Sequence, residues 1–225
     1  MKNTELILAL DTESFSLAEN LLEQFKGRIK YYKVGSSLFT LEGPKIIELV
    51  HKYGGQVFLD LKFHDIPNTV KNAVVSAQKL GVYSLSLHIS GGTQMIEACA
   101  KLDEKPKLWG ITVLTSFDEE AFAFTGFKDG IASTMDKLSD LGVSSGLNGL
   151  VCSGAEIEML RKKFPSNVDI VVPGIRLGNM DDDQKRIITT RKAKELGADF
   201  IVIGRPILKS ENPNETVEII LKELE

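Results

Sequence analysis

The chain has 225 residues, 43 % of them hydrophobic, which is enough to bury a full core as one domain. Its 27 basic against 31 acidic residues leave a formal charge of −4, which excludes a global electrostatic footprint for nucleic acid or an anionic membrane, so a phosphate site must be local. No apolar run approaches the ~20 residues of a membrane span. Leu6 to Leu10 is too short and wrongly flanked for a secretory signal. Cys99 and Cys152, far apart in apolar stretches without metal-ligand spacing, read as buried reduced thiols, so the expected setting is cytoplasmic.

Leu6-Ile7-Leu8-Ala9-Leu10, ending at Asp11, is the first predicted strand; Leu17, Leu21, Leu22 and Phe25 then recur at helical spacing until Lys26-Gly27 closes a helix. A second strand runs from Ile29 to Val34 and closes at Gly35, and after Gly43-Pro44 comes a helix with Ile46, Ile47, Leu49 and Val50 inward. Gln56-Val57-Phe58-Leu59, bounded by Gly54-Gly55, is short and apolar, the mark of a buried parallel strand. A charged turn follows it, and Pro67 opens a helix carrying Val70, Ala73, Val74 and Ala77. The fourth unit is Leu85 to Ile89, a Gly91-Gly92 turn, and a helix bearing Met95, Ile96 and Cys99. Leu108 to Leu114 is the fifth strand, followed by a long connection from Thr115 to Gly130 that suits a lid and a helix around Ile131 to Leu141. Leu147 to Val151 precedes a helix through Ile157, Leu160 and Phe164. Asp169 to Val172 ends in Pro173-Gly174-Ile175-Arg176, with a helix near Thr189 to Leu196. Phe200 to Ile203 is the eighth strand, and Val217, Ile220, Leu221 and Leu224 form the apolar face of a closing helix.

This alternation, without composition shift, linker or low-complexity segment, predicts an α/β chain folded as a single (β/α)₈ TIM barrel over 1–225, the doubly wound open sheet being the other arrangement of the same pattern. On a barrel, Asp11, Lys33, Asp60, Lys62, Thr115, Pro173 and Arg205 all fall at or just past C-terminal strand ends, the face where such barrels place their chemistry.

The stretch Asp60 to Thr69 holds the strongest signal. Residues two apart on a strand share a face, so Asp60 and Lys62 point the same way, with Asp65 just beyond where the chain turns into the helix. A structural ion pair at the top of a sheet is the bland reading, and the strand, charged turn and amphipathic helix in succession favour a site. A lysine flanked by carboxylates has its charged form favoured, which suits Lys62 as a general acid; a Schiff-base lysine must instead be neutral. Each carboxylate has a lysine partner that repels a cation, and no ligand set of clear spacing accompanies them, so no metal is expected. Gly204-Arg205-Pro206 after the eighth strand offers a phosphate grip, a surface arginine being the alternative. Asp181-Asp182-Asp183 reads as a solvated loop or cap, and His64 and His88 as orienting or structural.

The string DLKFHDIPNT resembles the signature of the orotidine 5'-phosphate decarboxylase family. The resemblance extends along the whole chain through LALD with Asp11, YYKVG with Lys33, LTS with Thr115 and Ser116, PGIR with Arg176, DQKR with Gln184, and VIGRPI with Arg205. It implies decarboxylation of orotidine 5'-monophosphate to uridine 5'-monophosphate and CO₂, in pyrimidine biosynthesis, without cofactor or metal. Lys62 would protonate the carbanion at pyrimidine C6, Asp60 would lie beside the departing carboxylate, and Lys33 and Asp65 would complete the charged array. Asp11 and Lys33 would contact the ribose, Thr115 and Ser116 the pyrimidine. Gln184 would bridge base and phosphate, Gly204 and Arg205 would hold the phosphate, and Pro173 and Arg176 would join the substrate-binding set. The resemblance also implies a homodimer in which Asp65, Ile66 and Thr69 are lent to the neighbour's site. Thr190-Arg191 departs from the Thr-Pro expected there, which touches a helix start and no site residue.

Sibling barrels, the keto-sugar-acid phosphate decarboxylases and hexulose-phosphate synthases, share Asp-x-Lys-x-x-Asp but use magnesium and an enediolate. Ile66-Pro67-Asn68-Thr69 and Gln184 argue for the nucleotide instead. Against a catalytically silent nucleotide sensor stands the intact set Lys33, Asp60, Lys62 and Asp65.

Overall fold

The computed structural model describes residues 3–164, 167–176 and 188–225. Its strands are β1 (Glu5–Ala9), β2 (Tyr31–Gly35), β3 (Gln56–Phe63), β4 (Ser84–His88), β5 (Lys107–Ile111), β6 (Gly149–Val151), β7 (Asp169–Pro173), β8 (Ile175–Arg176), β9 (Ile188–Thr189) and β10 (Phe200–Ile203). The helices are α1 (Phe15–Gln24), α2 (Ser36–Glu42), α3 (Lys45–Lys52), α4 (Pro67–Lys79), α5 (Thr93–Ala100), α6 (Glu119–Ala123), α7 (Ile131–Ser144), α8 (Ile157–Lys163), α9 (Thr190–Leu196), α10 (Arg205–Leu208) and α11 (Pro213–Leu224).

The parallel strands close in the order β1-β10-β7-β6-β5-β4-β3-β2, so the predicted barrel forms and the open sheet does not; β8 and β9 make a separate two-stranded patch. Helix starts follow local chemistry. The Ser14 hydroxyl accepts the Leu17 N–H ahead of α1, Pro67 opens α4, where its missing N–H costs nothing, and the Thr189 hydroxyl accepts the Lys192 N–H ahead of α9. Gly197 ends α9 at φ 95°, a left-handed conformation that suits glycine.

The two faces of each strand divide the core. One set, including Leu8, Val34, Leu59 and Leu85, packs outward under the helices. The other fills the barrel: Ile7, Ala9, Tyr31, Phe58, Trp109, Val171, Phe200 and Val202. Within it the aromatic rings meet edge-on or tilted, Phe58 with Trp109 at 4.7 Å between centroids and Trp109 with Phe200 at 4.9 Å. The Trp109 indole N–H and the Lys107 ammonium both reach Asp169 Oδ2, at 3.2 and 2.6 Å, which gives the buried indole its partner. Both cysteines are buried and free.

Several boundaries differ from the sequence expectation for physical reasons. β3 runs on to Phe63 because Asp60 still pairs with Gly35 of β2 and the ladder to β4 resumes at Phe63, opposite Leu87. β5 stops at Ile111, short of Leu114. Helices α2 and α10 follow directly on strand ends closed by glycine, and α6 lies inside the long connection after β5, capped by Asp118. Leu17 is 50 % exposed, and Ala18 takes the inward position beside Leu22.

Gly149 on β6 faces Trp109 and Asp169 in the ladder, and a Cβ there would come within 2.7 Å of the Trp109 ring and of the Asp169 carbonyl oxygen. Gly149→Ala is expected to destabilise the barrel by about 1–3 kcal/mol through overpacking, read as a lowered urea midpoint at unchanged slope.

Candidate active site

The alternation that places Ile7, Ala9, Tyr31 and Phe58 inside the barrel brings Asp11, Lys33, Asp60 and Lys62 to the same interior one step nearer the C-terminal ends. There the four side chains form a continuous row. Lys33 Nζ donates to Asp11 Oδ1 at 2.8 Å and lies 3.9 Å from Asp60 Oδ2, and Lys62 Nζ donates to the same Asp60 Oδ2 at 2.7 Å. Signs alternate along it and the two carboxylates balance the two ammoniums, so the row is neutral as a whole. Its middle is the buried part: the Asp60 side chain is only 11 % exposed and that of Lys33 13 %, whereas the ends, Lys62 and Asp11, reach solvent.

Lys62 has φ 52°, the one non-glycine residue with positive φ among the described residues. The cause is an irregularity in the β3–β4 ladder: Leu59 pairs with Leu85 and Phe63 with Leu87, so the three residues from Asp60 to Lys62 face Ser86 alone. Ser86 is fully buried; its hydroxyl accepts the Lys62 N–H at 2.9 Å and donates to Asp60 Oδ1 at 2.8 Å. Nothing in Leu85-Ser86-Leu87 marks the serine until its cross-strand neighbours are known. Two glycines line the row as well. A Cβ on Gly35 would meet Lys33 Nζ at 3.1 Å, and one on Gly204 would stand 3.4 Å from Asp11 Oδ2.

The remaining candidates lie at varied distances from the row. Gly204 adjoins Asp11 and Arg205 opens α10, exposed at the same end of the barrel. Pro173 ends β7, Arg176 is exposed on β8, and Thr115 and Ser116 are exposed in the connection after β5. Asp65 stands apart from the row: its carboxylate accepts the N–H of the next residue, Ile66, at 2.6 Å, and Asp65, Ile66 and Thr69 are all exposed, Ile66 at 67 %. Gln184, Asp181, Asp182 and Asp183 lie outside the described residues. His64 and His88 pack ring on ring at 5.3 Å between centroids. Burial, with help from His64 and Lys62, holds the His88 imidazole below the ordinary histidine range, and Asp60 opposes this weakly.

A family model described as the orotidine 5'-phosphate decarboxylase / HUMPS family matches residues 4–220. Among curated proteins, the orotidine 5'-phosphate decarboxylase of Alcanivorax borkumensis is 39 % identical, covering 99 % of this chain and 98 % of its own length. That of Legionella pneumophila is 41 % identical, covering 98 % and 99 %. Among solved structures, orotidine 5'-phosphate decarboxylase from Lactobacillus acidophilus superposes with a TM-score of 0.87 at 31 % identity over 99 % of both chains. An uncharacterized conserved protein from Geobacillus kaustophilus does so with 0.86 at 33 % identity, over 98 % of this chain and all of its own.

Because the folded pKa of His88 is depressed, its contribution to stability is present above the unfolded histidine value of about 6.5 and is lost as pH falls below it. His88→Gln is therefore expected to flatten the fall in urea midpoint between about pH 7.5 and pH 5 at fixed protein concentration. An unchanged slope would mean that His88 is as readily protonated in the fold as outside it.

Proposed function

The chain belongs to the orotidine 5'-phosphate decarboxylase / HUMPS family, and we propose that within it the chain is the decarboxylase, converting orotidine 5'-monophosphate to uridine 5'-monophosphate and CO₂ in pyrimidine biosynthesis. The observation that carries this reading is the neutral row of Asp11, Lys33, Asp60 and Lys62 at the C-terminal end of the barrel. In the proposed reaction the bond between C6 and the carboxylate carbon breaks and CO₂ leaves. The electron pair stays on C6, and a proton moves from Lys62 Nζ to that carbon. The Lys62 ammonium stabilises the charge as it develops, without reorganising, because Asp60 holds its tip and the backbone is fixed at its base. Asp60 lies beside the departing carboxylate, and Lys33 and Asp11 take the ribose. Both carboxylates of the row are engaged by lysines whose charge opposes a metal ion, so the chemistry assigned to the row uses neither metal nor cofactor.

The rest of the substrate extends from the row. Gly204, against Asp11, and Arg205 beside it hold the phosphate, with Gln184 between phosphate and base. Thr115 and Ser116 meet the pyrimidine, and Pro173 at the end of β7 and Arg176 on β8 join the substrate-binding set. The phosphate is remote from the bond that breaks, so its binding energy serves to assemble the site, with closure by the connection after β5. Asp65, Ile66 and Thr69 serve a neighbouring subunit: within the chain Asp65 bonds its own loop, and Ile66 presents an apolar surface to the outside. The working form is a homodimer with shared sites, acting in the cytoplasm.

The direct test mixes the protein with orotidine 5'-monophosphate, with and without EDTA, and follows the pyrimidine ultraviolet absorbance. Loss of the orotate-type absorbance, indifferent to EDTA, is expected. No turnover would move the chain to the magnesium-dependent sugar-phosphate chemistry, assayed with magnesium restored. Lys62→Ala is expected to bind uridine 5'-monophosphate within about tenfold of the parent while losing at least about a hundredfold in kcat. The shared site has its own test. Lys62→Ala and Asp65→Ala proteins, each nearly inactive alone, should regain about a quarter of parental activity when unfolded and refolded together in equal amounts. Half of the dimers are then mixed, and each of those carries one intact site out of two. Continued inactivity of the mixture would place Asp65 in its own chain's site.

A further inference from the structure

We infer that Ser86 is a positioning residue for the proton donor: its buried hydroxyl clamps the strained backbone of Lys62 to the Asp60 carboxylate and so sets the direction of the Lys62 ammonium. The inference rests on the decarboxylase reading above and deepens it.

The ladder between β3 and β4 lacks its regular pairing over Asp60 to Lys62, so backbone carbonyls of β4 do not meet this stretch in register. Lys62 is held at φ 52°, which L side chains avoid for steric reasons and which persists only where the surroundings over-determine it. One hydroxyl does so here, from a residue with no exposed surface. It takes the Lys62 N–H at 2.9 Å and gives its own proton to Asp60 Oδ1 at 2.8 Å. Fixing Oδ1 leaves Oδ2 turned toward the ammoniums, 2.7 Å from Lys62 Nζ and 3.9 Å from Lys33 Nζ. Serine thus joins the two ends of Lys62, its amide directly and its ammonium through Asp60. The loop Ser86 Oγ, Asp60 Oδ1, Oδ2, Lys62 Nζ and back along the lysine to its N–H is closed. Without the hydroxyl, the Lys62 N–H and Asp60 Oδ1 are both left without their shared partner, and the backbone is free to relax out of the left-handed region.

The expected consequence is kinetic. A donor displaced by a fraction of an ångström loses rate far more than affinity, so Ser86→Ala should lower kcat by about ten- to a hundredfold. KM and the affinity for uridine 5'-monophosphate should stay within about threefold, since ribose and phosphate are held by other strands. Deuterium uptake from solvent at C6 of bound uridine 5'-monophosphate, which reads proton transfer without decarboxylation, should fall in parallel with kcat. Ser86→Thr keeps the hydroxyl and should restore both rates to within about threefold of the parent, whereas Ser86→Cys keeps the volume, bonds weakly and should behave as the alanine variant.

The parent enzyme is assayed alongside. If it fails to decarboxylate, the functional reading itself is wrong. If it turns over and Ser86→Ala and Ser86→Cys keep parental kcat and exchange, the positioning role is overturned. It is equally overturned if rate and nucleotide affinity fall together without rescue by threonine, or if both variants fail to fold, because the hydroxyl then supports the barrel at large.

Discussion

The site depends on one carboxylate that has left water. Asp60 gives up most of its hydration inside the barrel, and three neighbours replace it: the ammoniums of Lys62 and Lys33 and the hydroxyl of Ser86. A buried ion pair of this kind is weak evidence for stability, since desolvation offsets much of the attraction, but removing one partner typically costs about 3–5 kcal/mol because the other is stranded. The groups therefore constrain one another. Asp60 fixes Lys62, Lys33 ties Asp60 to Asp11, and a row drawn from β1, β2 and β3 behaves as one electrostatic unit. The strain at Lys62 is retained because the alternative leaves the buried Ser86 hydroxyl and Asp60 carboxylate without their partners.

The lower half of the barrel makes this possible by being dull. Phe58, Trp109, Tyr31 and Phe200 fill the interior beneath the charges, and Lys107, Asp169 and the Trp109 indole form a second polar knot at the opposite end. The two ends use the same residue types for different purposes. At the plug, Asp169 completes the hydrogen bonding of a packed ring. At the top, Asp60 aims a lysine into open space above β3. Gly149 below lets backbone meet the Trp109 ring, and Gly35 and Gly204 above leave room for the charged side chains of Lys33 and Asp11.

Much of this was legible in the sequence because it follows from short-range rules. Period two puts Asp60 and Lys62 on one face, a glycine-bounded apolar run makes a parallel strand, and Pro67 starts a helix; each held in the structure. Asp65, only three positions beyond Lys62, looked in sequence like a member of the same cluster, and the turn into α4 carries it to the outside. Leu17 fitted a helical apolar stripe and yet faces solvent, since the stripe on α1 is set by where the barrel lies and Ala18 fits that surface. The exposed Phe124, at 87 %, beside the Phe117, Phe122 and Phe127 cluster in the connection after β5, had no periodic signature at all.

By itself, the sequence determined the barrel and the end at which Asp11, Lys33, Asp60 and Lys62 gather. Hydrophobic period, glycine placement and capping act between residues close along the chain, and the parallel closure follows from them. Only the tertiary structure decided how the lysine is held. The irregular pairing of β3 with β4, the positive φ of Lys62 and the part played by Ser86 depend on contacts between residues about two dozen positions apart. No local pattern carries that information, because a serine flanked by leucines in a buried strand looks the same whether it fills space or holds the backbone of a lysine across the sheet.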